Sequence, residues 1–320
     1  MNLSPADSAA LLQHIECAAT VLLITHVSPD SDAIGSLLGA THALRSLGKT
    51  VTPACTDALR DRFDILPGDT DVVTRASGPF DLVMALDCGD EARMGRVWTD
   101  LPTPRPILLN LDHHVTNTRF GQLNWVDPSA ASTAEIVLEL IDLLGVPLTS
   151  DIARCLLYGL TGDTLGFRTP NTTPHQLHVA QRLMEAGASL NASIDHQFNR
   201  RSLALICLWG KAINALKVKD RVIYTAISKA MRDACGMSGA GDISLASFLI
   251  SANEADRSAV LVEKDDGQVE ISLRARPGFN VSVAATALGG GGHPLAAGAT
   301  IDGPLADATR RVLAALKESV

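Results

Sequence analysis

From residue 21 to about residue 170, short apolar runs alternate with amphipathic stretches, the pattern of βαβ units built on a mostly parallel sheet. Runs at 21–25, 50–54, 82–86 and 107–111 read as strands. Between the first two, residues 32–47 carry apolar side chains at helical spacing and stop at Gly48, a natural helix terminator. A further helix is predicted from near Ser132, where Ser132-x-x-Glu135 has the form of a capping box and Ile136, Leu140, Leu143 and Leu144 follow on one face. Residues 152–160 read as helix too, delivering Thr161-Gly162-Asp163 at its end.

Residues 191–218 show helical periodicity with no strand signal, and Arg200, Arg201 and Lys211 are interspersed. Beyond them, 221–227, 258–263 and 269–275 predict strands, the last two joined by Lys264-Asp265-Asp266-Gly267, whose Asp-Gly pair favours a hairpin. The expected fold class is therefore α/β. A mostly parallel-sheet domain over 1–190 is followed by a helical linker over 191–218 and a smaller α/β domain over 219–320. A chain of 320 residues that is 46% hydrophobic is large enough for two such cores.

The formal charge of −8 argues against coating long duplex nucleic acid, which needs many basic side chains along the backbone. Short phosphate-bearing substrates stay open, because bound cations supply positive charge locally. The six cysteines, Cys17, Cys55, Cys88, Cys155, Cys207 and Cys235, lack paired spacing, so free thiols in a reducing cytoplasm are expected. The first twenty residues lack a signal-peptide pattern, and no apolar run is long enough to span a bilayer.

Candidate chemistry collects at the ends of the predicted strands. His26, Asp30 and Asp32 follow the first; alone they read equally as loop-capping residues, Asp32 as a helix cap, or as metal ligands. Asp87 closes the run 82–86. Asp112-His113-His114 closes the run 107–111, and the adjacent histidines are expected to point to opposite faces, one toward metal and one toward substrate. Asp163 adds another carboxylate. So many carboxylates at one sheet edge would repel one another without cations, whereas a two-metal site shares a bridging carboxylate and activates water against a phosphate group. Oxygen and imidazole donors suit manganese-like ions.

A second signal is Gly289-Gly290-Gly291-Gly292-His293 followed by Ala296-Ala297-Gly298. It reads as a loop whose backbone N–H groups can meet an anion, beside a titratable donor. Arg274, on the predicted strand 269–275, could clamp a phosphate. His14, His42, His175, His178 and His196 lie in helical patterns with no converging carboxylates and are read as structural.

These motifs resemble the DHH/DHHA1 phosphoesterase superfamily in order and spacing over nearly the whole chain. Residues 25–36 are similar to its first motif, Asp87 to the second, Asp112-His113-His114 with Asn117 to the third and Asp163 to the fourth, while 290–298 resembles the glycine-rich motif of the DHHA1 domain. The resemblance is greatest to members that degrade very short oligoribonucleotides and dephosphorylate phosphoadenosine phosphate (pAp). It implies two divalent cations, manganese first with magnesium or cobalt as substitutes. His26 and Asp30 would hold one, Asp32, His113 and Asp163 the other, and Asp87 would bridge.

By the same resemblance His114 and Asn117 would meet substrate, and Arg274, Gly290, Gly291, Gly292 and His293 would bind its phosphate from the second domain, across a cleft. Asn280 stands where many relatives carry an acidic residue. The implied partner is short RNA or a small adenine nucleotide, with no membrane and with a homodimer compatible. Alternatives are a cyclic-di-AMP or pApA phosphodiesterase of the same superfamily and, in another class, a non-catalytic nucleotide sensor, which would be expected to have lost a ligand.

Overall fold

A computed structural model describes residues 5–59, 63–237 and 244–317. The chain divides into two compact units, one up to Arg200 and one from Arg201 onward.

The first unit runs α1 (Pro5–Cys17), β1 (Thr20–Ile24), α2 (Ser31–Ser46), β2 (Thr50–Ala54), β3 (Leu82–Leu86), α3 (Gly95–Thr99), β4 (Ile107–Asp112), β5 (Leu123–Val126), α4 (Thr133–Leu143), α5 (Ser150–Asp163), α6 (Pro174–Glu185) and α7 (Leu190–Ile194). Its sheet has the order β2-β1-β3-β4-β5, and every pairing is parallel. Both faces of the central strands are buried, which is why they are unbroken apolar runs. Val21 and Leu23 of β1 face the large core under α1, α2, α4 and α5, and Leu22 and Ile24 face a smaller one containing Val97 and Trp98 of α3. Sequence reading missed β5 and gave no bounds for α6, although it placed His175 and His178 in a helical pattern. β5 is only four residues long, with its first two half-buried, so it carries little periodic signal.

α2 and α5 pack backbone to backbone. A Cβ on Gly35 would lie 2.5 Å from the Cys155 carbonyl oxygen and 2.7 Å from the Gly159 nitrogen, so only glycine fits there. Gly48 closes α2 with φ +79°.

The second unit runs α8 (Leu203–Asn214), β6 (Lys217–Lys219), β7 (Val222–Ile227), α9 (Lys229–Asp233), α10 (Leu245–Leu249), β8 (Arg257–Glu263), β9 (Gln268–Ala275), α11 (Ser282–Ala287), β10 (Gly291–His293), β11 (Ala296–Asp302) and α12 (Leu305–Lys317). Its mixed sheet has the order β10-β11-β9-β8-β7-β6, with only β7 and β8 parallel. One face buries Leu261, Ile271, Leu273 and Ile301 with Val312 of α12. The other face is covered over β7 and β8 by α8 and α10, through Leu208 and Leu249 against Ile223 and Val260.

The predicted linker resolves into several elements. α7 runs into one π turn at Asp195–Asn199, and α8 buries Leu208 and Ala212 in the second unit. Contrary to the sequence reading, a strand follows at once, β6, whose three residues are all exposed and so show no alternation. The expectation of six free thiols also fails: Cys207 of α8 is bonded to Cys235 just after α9, with Cα atoms 5.7 Å apart. A separation of 28 residues is no pairing signal in sequence; the packing of α8 and α9 creates it. Cys17, Cys55, Cys88 and Cys155 are free. Among the described residues, no helix is long and apolar enough to cross a membrane.

Candidate metal centre

The carboxyl ends of β1, β3 and β4 meet at one edge of the parallel sheet, where open α/β folds place their sites. Thr25, just past β1, donates to the Leu86 carbonyl (2.9 Å), and Asp87 N donates to that of Leu111 (3.0 Å), so the three exits are laced together. Asp87 is only 1% exposed and holds φ at +61°, a strained conformation for a non-glycine residue that re-aims its carboxylate. One of its oxygens lies 3.5 Å from His26 Nε2, the other 3.7 Å from His113 Nε2.

Asp30, not Asp32, caps α2. Its Oδ1 accepts from the backbone of Asp32 (3.1 Å) and Ala33 (3.0 Å), leaving Oδ2 at 3.7 Å from His26 Nε2. Capping and ligation are therefore compatible in one carboxylate. Asp32, wholly buried, is held by the first turn of α4, accepting from Thr133 N (2.6 Å) and Ala134 N (3.0 Å), and by the Ser36 hydroxyl (3.2 Å). Exposed helix N-terminal N–H groups favour such a negative charge. The Thr133 hydroxyl also donates to Asp87 Oδ1 (2.9 Å). The capping box at that helix is half formed. Ser132 accepts from Glu135 N, but the Glu135 carboxylate reaches Ala131 N rather than Ser132 N.

Asp163 ends α5 with Oδ2 at 3.1 Å from His113 Nε2, and Asp32 Oδ2 lies 4.0 Å from the same atom. Although surrounded by these oxygens, His113 Nε2 is buried without a hydrogen bond. An orphaned imidazole nitrogen facing carboxylates has the chemistry of a cation ligand. Among the described residues, three sets of side chains are close enough to share an ion: His26, Asp30 and Asp87; Asp32, His113 and Asp163; and Asp87, His113 and His114. Asp87 belongs to two of them.

Electrostatics agree. Burial disfavours charge on His26 and His113, yet the carboxylates beside them hold both up at about 10. Burial raises Asp32 far above the usual carboxylate range, with the Asp87 and Asp163 charges adding to it. Asp163 is pushed up to about 6, by burial and by Asp87 and Asp30 against the pull of His113. Without cations the cluster keeps protons it would give up to a metal.

His113 and His114 do not point to opposite faces. Both lie past the end of β4, where strand alternation no longer applies, and their rings are 4.7 Å apart. Asp112 Oδ1 holds His114 Nδ1 at 2.7 Å; this hydrogen bond raises the His114 pKa despite burial. Asn117 is occupied within the protein. It donates toward Asp112 Oδ2 (2.5 Å), Asn110 Oδ1 (2.8 Å) and the Cys88 carbonyl (3.0 Å) and accepts from Arg119 N (2.6 Å). These contacts tie Asn117 to Asp112, the carboxylate that holds His114.

In the second unit the glycine-rich stretch is a hairpin, not a loop: β10 pairs with β11, and Gly290 N is spent on the Ala285 carbonyl (2.8 Å). A Cβ on Gly292 would lie 2.6 Å from the Ala296 carbonyl oxygen, and one on Gly290 would meet Gly298 and Ala299. These two glycines thus serve close backbone packing, whereas a Cβ on Gly291 would meet nothing.

Cross-strand pairing sets His293 opposite Ala296 and Ala296 opposite Arg274, so histidine and arginine share a face. They stand two strand spacings apart, about 10 Å. A shallow pocket of about 480 Å³ is lined by Glu270, Ser272, Arg274, Gly291 and Gly298 among others, and His293 lies outside that lining. Arg274 is steadied by Ser247 Oγ (3.1 Å). Asn280 accepts from Ser282 N (2.9 Å) at the start of α11.

The histidines read as structural have ordinary partners where contacts are seen: His42 the Pro67 carbonyl, His175 Glu135, and His196 Asp64 and Tyr158. Sequence reading missed Thr133 and Arg93, whose guanidinium Nη2 lies 2.9 Å from His26 Nδ1. Neither sits in a ligand-type motif; both reach the centre by folding.

The sequence matches the DHH family, N-terminal domain, over residues 20–160 and the DHHA1 domain over residues 240–320. It is 36% identical over 317 residues to the bifunctional oligoribonuclease and PAP phosphatase NrnA of Thermus thermophilus, covering 98% of this chain and 93% of that protein. The Bacillus subtilis protein of the same name is 27% identical, with 91% of this chain and 92% of that one covered. An exopolyphosphatase-related protein from Bacteroides fragilis shares the fold, with a TM-score of 0.91 at 23% identity over 99% of this chain and 97% of that one. With the laced strand ends, the shared Asp87 and both domain matches in hand, the chain belongs to the DHH family, carrying a DHH N-terminal domain and a DHHA1 domain.

Proposed function

We propose that this chain is a phosphohydrolase that uses two divalent cations, manganese first, to cleave very short oligoribonucleotides and to dephosphorylate pAp. The observation that carries the reading is Asp87, which turns one oxygen toward His26 and the other toward His113. His26 and Asp30 would hold one cation, Asp32, His113 and Asp163 the other, and Asp87 both. Such cations supply a water acidic enough to attack phosphorus and charge to offset the phosphate's own.

The protein's part is orientation and proton holding. Thr133 and the start of α4 fix Asp32 and Asp87. His114 donates Nδ1–H to Asp112, a contact that favours the doubly protonated ring, and in that form Nε2–H can serve the phosphate or the leaving oxygen. On the second unit, Arg274 and His293 form a row suited to a second phosphate or the nucleotide backbone. The relatives named for oligoribonuclease and PAP phosphatase activity support this substrate class.

The test is a panel of pAp, ribonucleotides of increasing length, cyclic di-AMP and pyrophosphate, each with Mn²⁺ and Mg²⁺. We expect turnover of pAp and the highest kcat/KM at about two to five nucleotides, since a net charge of −8 disfavours the many backbone contacts that long RNA needs. Fastest turnover of pyrophosphate or cyclic di-AMP, or a rate still rising toward tens of nucleotides, would overturn the assignment.

A further inference from the structure

Two backbone irregularities meet at the end of α5, the helix whose last residue is Asp163. Just beyond it, Leu165 and Phe167 hold φ at +49° and +65° on either side of Gly166 at +69°. Bulky side chains adopt that left-handed conformation only where their surroundings force it. The second irregularity is the π turn Asp195–Asn199, a kind of turn frequent at functional sites.

Gln197, in the middle of that turn, grips the helix end. Its Nε2 donates to the Tyr158 carbonyl (3.1 Å) and to the Thr161 hydroxyl (2.7 Å), which itself donates to the Leu157 carbonyl (2.8 Å). A carbonyl can only accept, so the contact with Tyr158 fixes which end of the amide is nitrogen. The other end, Oε1, is buried with no hydrogen-bond partner. It lies beside Gly162, where a Cβ would be 3.0 Å from it and would collide with Ser31 Cβ. The last turn of α5 is thus pinched between Gln197 and the start of α2, one residue before Asp163 and between the neighbours Asp30 and Asp32.

The two carboxylates expected on the same cation are aimed differently. Asp32 is held directly, by Thr133 N, Ala134 N and the Ser36 hydroxyl. Asp163 meets His113 Nε2 at 3.1 Å, and among the described residues no backbone N–H or hydroxyl donates to it. Its direction is therefore set by the backbone of α5. The two hydrogen bonds that Gln197 gives are offset by its unpaired buried oxygen, so the side chain adds little net stability; what it fixes is position.

From this we infer that Gln197 is a positioning residue for metal binding, which aims Asp163 at the cation position shared with Asp32 and His113 by gripping the last turn of α5. The inference rests on the two-cation reading above. Contacts that orient a ligand without touching the metal govern metal affinity in the same way elsewhere.

The test titrates Mn²⁺ calorimetrically into wild-type protein, Gln197→Met and Gln197→Ala, with thermal melts of the chelated proteins to report folding. Methionine keeps the side chain's length and removes both donors; alanine removes the packing as well. We expect wild type to bind two Mn²⁺. In both variants one of them should weaken about 10- to 100-fold, while the other, held by His26, Asp30 and Asp87, keeps its affinity. The metal-free Tm should move little. On pAp, the Mn²⁺ concentration giving half the maximal rate should rise by the same factor, and kcat at saturating Mn²⁺ should fall much less.

Wild-type affinity for both Mn²⁺ in Gln197→Met would overturn the inference. So would equal weakening of both positions together with a lower metal-free Tm, the mark of a purely structural role. A wild-type protein that takes up fewer than two Mn²⁺ would instead overturn the two-cation reading, and this inference with it.

Discussion

At the scale of single residues, the centre depends on which atom faces which. Among the described residues, Asp87 is the one carboxylate whose two oxygens look toward different histidines, so its loss should affect both ion positions at once. Asp87→Ala should lower hydrolysis by at least about 10²-fold and reduce bound metal by elemental analysis. Near-normal turnover with metal retained would remove its bridging role. The adjacent histidines should separate cleanly. His113, with a buried and unbonded Nε2 among three carboxylates, should cost metal when changed to Ala. His114→Ala should keep the metal while kcat drops roughly 10²-fold, the range of a lost acid–base group. Equal metal loss in both would refute the division.

At the scale of elements, the site is supported by helix contacts that only small residues allow. A Cβ on Gly159 would lie 2.8 Å from Asp32 Oδ1 and 2.9 Å from Ala134 Cβ, where α5, α2 and α4 converge. Gly159→Ala should therefore act as overpacking, costing about 1–3 kcal/mol, and should also displace Asp32. Calorimetry should show a lower Tm together with weaker Mn²⁺ binding. A stability loss with unchanged metal affinity would mean that the helices absorb the methyl without moving the carboxylate. The same convergence explains why the helix starting at Thr133 matters: its first two N–H groups, about a hundred residues away in sequence, hold Asp32.

At the scale of the whole molecule, two features are testable without altering a residue of the centre. The bond between Cys207 and Cys235 joins α8 to the segment after α9 within the second unit. Alkylation of unfolded, unreduced protein should label four cysteines, Cys17, Cys55, Cys88 and Cys155, and reduction should raise the count to six. Cys207→Ser should destabilise the second unit by about 3.6 kcal/mol, the loop-closure contribution of a crosslink of this length. Six labels before reduction would show the pair to be open. Chelation should lower the Tm of the first unit's transition, because cations bind the native cluster and not the unfolded chain.

The sequence by itself determined four of the first unit's five strands and the identities of the clustered acids and histidines. A parallel sheet covered on both faces demands continuous apolar runs, and its loops gather at strand ends, so Asp87 after 82–86 and Asp112-His113-His114 after 107–111 are legible before folding. Tertiary structure decided what depends on partners remote in sequence. Whether Asp30 or Asp32 caps α2, the turning of both histidines toward Asp87 and the use of Asn117 within the protein follow from contacts across loops. So do the pairing of β10 with β11 and the bond between Cys207 and Cys235. Local spacing carries no record of them because the forces that select them, close packing and hydrogen bonding between distant segments, exist only once the elements have met.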